Sequence, residues 1–303
     1  MSPGRAGAVS RRAALGAGAL LAAGLAGPRG ARAKAANSGS GTVVIDGLPV
    51  YYEWHGGPPD SGPVPIVLLH GGALTIEVAF PPDMIPRLAR TRPVIAIEQQ
   101  GHGHTGDRPG PMTIDRMVED TAGVLSHLGV RQADLFGHSL GGMIATGVAI
   151  RHPGLVRSAA IVSAPYRLEG FLPELVRIQR DPTAVPAPSL VPLLPTEADF
   201  AAWKASFERS APDPTAFDAI LARLNTTLAE WPGWTEADLR AIRAKALVAI
   251  GDTDYVRVDH AAEMARLIPD ARLAVLPGTT HFGIVQRSAW LEPMIEARLQ
   301  PVL

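Results

Sequence analysis

Six short apolar runs, Ile66 to Leu69, Val94 to Ile97, Ala133 to Phe136, Ala159 to Val162, Leu247 to Ile250 and Leu273 to Leu276, recur along the chain with helix-length segments between them. Continuous apolar runs this short suit strands buried on both faces, and strands that alternate with helices run parallel, because each helix carries the chain back to the starting edge. The pattern predicts an α/β fold, a mostly parallel central sheet with helices on both faces. Helices are predicted at Asp83 to Arg90, Ile114 to Leu128, Leu140 to His152, His260 to Leu267 and Ala289 to Leu299. Asp115 near the start of the second and Gly129 just past its end are the boundary residues a helix favours. Thr42 to Asp46 and Val50 to Trp54, joined through Gly47, predict an opening hairpin.

The rhythm breaks between Pro165 and about Arg240. Pro182, Pro186, Pro188, Pro192 and Pro195 prevent a long regular element there, since proline lacks the amide hydrogen and clashes with the preceding turn. Helical patterns resume at Glu197 to Glu208 and Thr215 to Leu228. An insertion at about 165–240 predicts a helical cap over the sheet edge. Of its aromatics, Trp203, Phe207, Trp231 and Trp234 are candidates for facing a pocket, and the competing expectation for each is that it packs the cap onto the main domain.

A length of 303 residues suits one large domain with an insertion better than two independent domains. The 28 Lys and Arg nearly balance the 29 Asp and Glu, and a formal net charge of -1 gives neither nucleic acid nor an anionic membrane an electrostatic footprint. A small neutral or weakly polar molecule is the expected partner. With no cysteine there is no disulfide framework, thiolate nucleophile or thiolate metal ligand.

Residues 1–35 read as an export signal. Arg5, Arg11 and Arg12 precede the weakly apolar stretch Ala13 to Ala26, and Ala31-Arg32-Ala33 supplies a small-x-small cleavage site before Lys34. The stretch is too short for a stable membrane anchor. Ser10-Arg11-Arg12 followed by Leu15 resembles a twin-arginine signal. The domain of residues 36–303 is therefore expected outside the cytoplasm, periplasmic or secreted.

The residues that carry chemistry begin at Gly137-His138-Ser139-Leu140-Gly141, between an apolar strand and an apolar helix. A serine on a sharp strand-to-helix turn needs small residues two positions before and two after it, because the backbone is strained and crowded there. Glycine stands at both positions. Such a turn lifts the Ser139 hydroxyl clear of the sheet and sets the Leu140 NH beside it, at a helix N-terminus whose partial positive charge favours an oxyanion. The bland alternative is a serine that only caps the helix.

With this motif in its strand-turn-helix setting, the chain from Thr42 to the C-terminus resembles the α/β-hydrolase superfamily, in its esterase and cofactor-free haloperoxidase branch. Leu69-His70-Gly71-Gly72 resembles the family's oxyanion loop and implies a donor at the Gly72 NH, with Ala73 as second choice. Gly101-His102-Gly103-His104-Thr105 resembles the loop after the next strand, although the family usually has Asp where Glu98 stands. Pro277-Gly278-Thr279-Thr280-His281-Phe282 resembles the catalytic-histidine loop and implies His281 as the base. Serine alone is a poor nucleophile and needs such a base, held in one tautomer by a third group. The acid segment is Ile250-Gly251-Asp252-Thr253-Asp254. In similar members the second aspartate faces the histidine while the first shapes the turn, which implies Asp254 rather than Asp252. Ser163-Ala164-Pro165 offers no carboxylate at the acid position some relatives use. The order Ser139, Asp254, His281 is the one this fold uses.

The resemblance thus implies a carboxylic ester hydrolase that works through an acyl-enzyme, without cofactor or metal. The pair His102 and His104 lacks the carboxylate or H-E-x-x-H setting of a metal site, and His70 and His138 are expected to pack their loops. Phe171, Leu172 and the cap tryptophans suggest a small, partly apolar ester or lactone. Peroxide in place of water at the acyl-enzyme would make a cofactor-free perhydrolase or haloperoxidase from the same residues. From another class, a silent hydrolase fold would make a ligand-binding protein. Serine rather than aspartate at position 139 argues against haloalkane dehalogenase or epoxide hydrolase chemistry.

Overall fold

The computed structural model describes residues 37–60, 62–181 and 183–299, and the expected export signal in residues 1–35 lies outside them. The described chain opens with the predicted hairpin. Strands β1 (Ser38–Ile45) and β2 (Leu48–His55) pair antiparallel about Asp46 and Gly47, whose φ angles of 45° and 74° are both positive, as a two-residue turn matched to the strand twist requires.

Next come β3 (Ile66–Leu69), α1 (Ile76–Ala79), α2 (Met84–Leu88), β4 (Val94–Ile97), α3 (Ile114–His127), β5 (Ala133–His138), α4 (Leu140–Arg151) and β6 (Val156–Val162). The proline-interrupted stretch holds α5 (Pro173–Arg180), α6 (Glu197–Ser210), α7 (Phe217–Glu230) and α8 (Glu236–Arg240). The chain then returns through β7 (Lys245–Gly251), α9 (Val258–Leu267), β8 (Ala271–Leu276), α10 (Gly283–Gln286) and α11 (Ser288–Leu299).

The strands form one sheet in the order β1-β2-β4-β3-β5-β6-β7-β8, antiparallel through β2 and β4 and parallel from β4 onward. The exchange of β3 and β4 puts β3 directly beside β5. The loops after β3, β5, β6, β7 and β8 therefore leave the same edge of neighbouring strands, the carboxyl edge where α/β sheets place their ligands. Every residue of β3, β4 and β5 is buried, as their apolar runs predict. Side chains such as Ile66, Leu68 and Ile95 each contribute about 1.5–3 kcal/mol by leaving water. β8 departs from the expectation of two-sided burial. It is an edge strand, and Leu273 and Val275 remain 41% and 42% exposed.

The cap is helical, with breaks where proline dictates them. Helix α5 stops at Arg180, just before Pro182. Helices α6 and α8 begin with reciprocal caps, Thr196 with Asp199 and Thr235 with Asp238, which satisfy NH groups that have no partner inside the helix. Polar contacts fasten the cap to the sheet loops: Ser206 of α6 lies 2.8 Å from the Thr75 hydroxyl, and Arg223 of α7 pairs with Asp107 and donates to the Gly110 carbonyl at 2.6 Å. Among the described residues no helix is long and apolar enough to cross a membrane.

Candidate active site

Strand β5 ends in a backbone too tight for any residue but glycine two positions before and two positions after Ser139. A Cβ on Gly137 would lie 2.1 Å from the Gly141 oxygen, and one on Gly141 would lie 2.1 Å from the Leu69 oxygen. Ser139 itself has φ 53° and ψ −118°, a sparsely populated conformation for a residue with a side chain. The strain is held by the Ser139 NH, which donates to the Val162 oxygen at 2.9 Å, and by the Ser139 oxygen, which accepts from Gly142 at 2.8 Å. Leu140 is the first residue of α4, so its NH has no acceptor within the helix. Ser139 is partly exposed.

His281, in the loop after β8, is completely buried. Its Nδ1 lies 2.8 Å from Asp254 Oδ1, in the loop after β7. An ionised carboxylate only accepts, so Nδ1 carries the hydrogen and donates it to Asp254. Nε2 is buried with no partner among the described residues. Asp254 Oδ1 also accepts the Val256 NH at 2.8 Å, and Oδ2 accepts the Ser163 hydroxyl at 2.6 Å. Burial by itself would raise the Asp254 carboxyl, but the charge and hydrogen bond of His281, the Ser163 hydroxyl and the Val256 NH outweigh it and hold the group below its ordinary value. Asp252 is exposed and accepts the Thr279 NH at 3.1 Å, which ties its turn to the histidine loop.

Two histidines stitch the loops after β3 and β4 to each other reciprocally. His70 donates through Nδ1 to the Gly71 oxygen at 2.8 Å and accepts the Gln99 NH on Nε2 at 3.0 Å. His102 donates through Nδ1 to the Gln100 oxygen at 2.9 Å and accepts the Ala73 NH on Nε2 at 3.0 Å. Both ring nitrogens of each are therefore used inside the protein, and burial pushes the two pKa values down to about 3 and about 4. The Ala73 NH is occupied, whereas the Gly72 NH has no acceptor among the described residues. Glu98 is buried, and its two oxygens take the NH groups of Ile76 and His104 and the His104 ring. Its longer arm spans the loops at the position where aspartate is usual.

The cap lies close above this edge. A Cβ on Gly72 would come within 2.8 Å of Leu224 Cδ2 in α7. Beside it, Ala73, Leu74, His102, Phe217, Ile220 and Leu224 line a cleft with about 10 Å³ of room for the centre of a water molecule, roughly one water. That cleft shares Gly101, Phe207 and Ile220 with one of about 440 Å³, lined also by Asp107, Pro212 and Arg223. A cleft of about 570 Å³ around Glu53, His55, Glu98 and His104 includes none of Ser139, Asp254 and His281.

The three tryptophans expected at a pocket do not share one place. Trp203 packs against Phe282, the neighbour of His281, with ring centres 4.9 Å apart. Trp231 and Trp234 sit together against α4. Trp234 donates its indole NH to the Met143 oxygen at 3.3 Å and lies against Gly147 and Arg151 of α4, while Trp231 packs edge-on against it at 5.9 Å. These two are large apolar anchors that fasten the end of the cap to α4.

Sequence reasoning passed over four contacts. Tyr255 stacks on the His281 ring at 3.9 Å. His138 donates through Nε2 to the His281 oxygen at 2.8 Å. Ser163 bonds Asp254, and Leu224 overlies Gly72. Only Leu224 has a sequence signal, the helical spacing of the apolar residues Ile220, Leu221 and Leu224.

Similarity to known proteins agrees with this architecture. The 2-hydroxymuconate semialdehyde hydrolase of Pseudomonas putida is 29% identical over 258 residues, covering 77% of this chain and 85% of that protein. The non-heme haloperoxidase of Rhodococcus erythropolis is 27% identical over 270 residues, covering 79% and 91%. Among solved structures, Est816, described as an N-acyl homoserine lactone degrading enzyme, superposes with a TM-score of 0.63 at 28% identity over 84% of this chain and 99% of its own. Other matches are shorter: one in Azorhizobium caulinodans, at 36% identity over 134 residues, spans 47% of that protein's length. The sequence pattern of the alpha/beta hydrolase family matches residues 66–294, and the chain belongs to that family.

Proposed function

We propose that the protein is a serine hydrolase that cleaves a carboxylic ester or lactone of a small, partly apolar substrate. Ser139 is the nucleophile, His281 the general base and Asp254 the group that orients it. The observation that carries this reading is the state of His281, buried with Nδ1 on an ionised carboxylate and with Nε2 unpartnered.

His281 Nε2 takes the Ser139 proton as the hydroxyl oxygen attacks the substrate carbonyl. The carbonyl electrons move onto oxygen, which is held by the Gly72 and Leu140 NH groups at roughly 3–4 kcal/mol for each donor. As the tetrahedral centre collapses, the alcohol leaves with the proton from His281. Water, deprotonated in turn by His281, attacks the acyl-enzyme, and the acid departs as Ser139 recovers its proton. The Asp254 carboxylate stays ionised and favours the imidazolium at each step. Trp203, Phe282 and the apolar face of α7 support an apolar substrate, and the lactone-degrading relative supports the lactone option.

A serine-directed fluorophosphonate tests the assignment. Intact mass and peptide mapping should find one adduct, on Ser139, and none in Ser139→Ala. Labelling on another serine, or esterase activity that survives Ser139→Ala, overturns it. The haloperoxidase relative favours a second reading, in which peroxide replaces water at the acyl-enzyme. Turnover of an acid with peroxide, with no hydrolysis of any ester or lactone, would put that reading first. Export is part of the same proposal, motivated by Arg11-Arg12 and Ala31-Arg32-Ala33. N-terminal sequencing of protein recovered from outside the cytoplasm should begin between Lys34 and Ala36, and an intact Met1 on cytoplasmic active protein would overturn it.

A further inference from the structure

Strand β6 ends at Val162, between β5, which leads to Ser139, and β7, which leads to Asp254. The next residue, Ser163, is wholly buried at φ 50°. Its NH donates to the Ala249 oxygen at 2.8 Å, which continues the β6–β7 pairing by one residue, and its hydroxyl donates to Asp254 Oδ2 at 2.6 Å. Glycine would take this left-handed backbone at lower cost, so what serine adds at this position is the hydroxyl.

We propose that Ser163 is a positioning residue for the Asp254–His281 pair, fixing the carboxylate so that Oδ1 faces His281 Nδ1 and drawing part of its charge away from the imidazole. This rests on the reading of Ser139, His281 and Asp254 as a triad. Oδ1 has two donors, His281 and Val256, and Ser163 is the donor on Oδ2. Without it, Oδ2 is a buried charged acceptor left unsatisfied, and only the two donors on Oδ1 resist rotation of the carboxylate about Cβ–Cγ. Among the described residues, the groups that face the pair are His138 at the end of β5, with its ring 5.0 Å from His281, Tyr255 stacked on His281, and Ser163 just after β6. His138 is held neutral by burial, so loss of the Ser163 hydroxyl is met by no other charge. The carboxylate then presents its fuller charge to His281, and the imidazolium proton is held more tightly.

Ser163→Gly is the decisive variant, because glycine relieves the positive φ and so offsets part of the stability lost with the bond to Asp254 Oδ2, whereas Ser163→Ala loses the same bond and keeps the strain. We expect a Tm above that of Ser163→Ala, KM within about twofold, kcat lowered about tenfold and the acid limb of kcat/KM moved up by about half a pH unit. Ser163→Ala keeps the strain and should lower Tm, yet show the same kinetic change. A kcat that follows Tm across the two variants, or a wild-type kcat and pH profile in Ser163→Gly, overturns the proposal. A readout independent of turnover is the downfield proton resonance of His281 Nδ1–H, whose titration midpoint in a Ser139→Ala background should rise on adding Ser163→Gly. If no version of the protein turns over any ester or lactone, the hydrolase reading fails, while an unchanged midpoint overturns the role of Ser163 separately.

Discussion

His138 donates its Nε2–H to the main-chain oxygen of His281 at 2.8 Å, so the residue before Ser139 holds the loop that carries the candidate base. The buried bond links the end of β5 to the loop after β8, and His138 makes it in the neutral form. Burial, with the nearby charge of His281 as the second cause, pushes its pKa down to about 3.

Removal of this donor should therefore cost rate more than affinity. His138→Ala is expected to lower kcat about tenfold with a smaller change in KM, because His281 keeps Asp254 but loses the bond that fixes its backbone. His138→Gln, whose side-chain amide can still donate, should lose less. Steady-state kinetics on an ester found by screening decide it. Equal losses in the two variants would mean that ring packing, not the hydrogen bond, is what matters.

The buried histidines also make a prediction about acid stability. His70, His102 and His138 have pKa values lowered to about 3, 4 and 3, chiefly by burial. The unfolded chain takes protons at these sites below about pH 6.5 while the folded chain does not. Stability must then fall as pH falls from about 6 to 4, by about 1.4 kcal/mol per pH unit for each histidine. Asp254 acts in the same direction further down: its depressed folded value stabilises the fold above the unfolded value of about 3.9 and is lost as pH drops through the folded value. Urea denaturation at fixed temperature should show the slope, and since burial lowers His260 to about 4 as well, His138→Gln should reduce it by about a quarter. A flat stability across that range would show that these rings are not held neutral.

Asp254 and Asp252 separate cleanly by variant. Asp254→Asn should keep the fold, since an amide fits the same space, yet lose turnover by about 10⁴, because it favours the wrong His281 tautomer and cannot stabilise the imidazolium. Asp252→Asn should cost far less, since Asp252 bonds the Thr279 NH rather than the ring. Turnover lost in Asp252→Asn and retained in Asp254→Asn, with both folded, would reverse the assignment.

The sheet was legible because its strands are apolar runs too short for helices, and the Ser139 turn because the crowding at Gly137 and Gly141 leaves a trace at fixed spacing. The role of Ser163 was not legible. Its partner lies 91 residues away, and only the order β5-β6-β7 brings the two loops together. The packing of Trp231 and Trp234 was not legible either, because the carbonyl on α4 that takes the indole NH of Trp234 lies 91 residues away in the chain. β8 looked like a two-sided core strand because an apolar run does not reveal that a strand is the last in its sheet.

Leu224 stands with its Cδ2 over Gly72, and its side chain is buried with 3% exposure. If Gly72 supplies an oxyanion donor, the substrate carbonyl must sit beneath α7, and Leu224 limits how much acyl chain can accompany it. The adjoining cleft, with room for roughly one water, favours short acyl groups as the site stands. Leu224→Ala removes three carbons from that boundary, and each extra methylene accommodated in an apolar pocket is worth about 1–3 kcal/mol in specificity. The ratio of kcat/KM for a hexanoyl ester to that for an acetyl ester of the same alcohol should therefore rise at least about tenfold. The same change should destabilise the protein by about 2–5 kcal/mol, because the leucine is buried, so kinetics are best measured well below Tm. An unchanged chain-length ratio in a folded Leu224→Ala protein would show that the acyl group lies elsewhere and that α7 only roofs the loop.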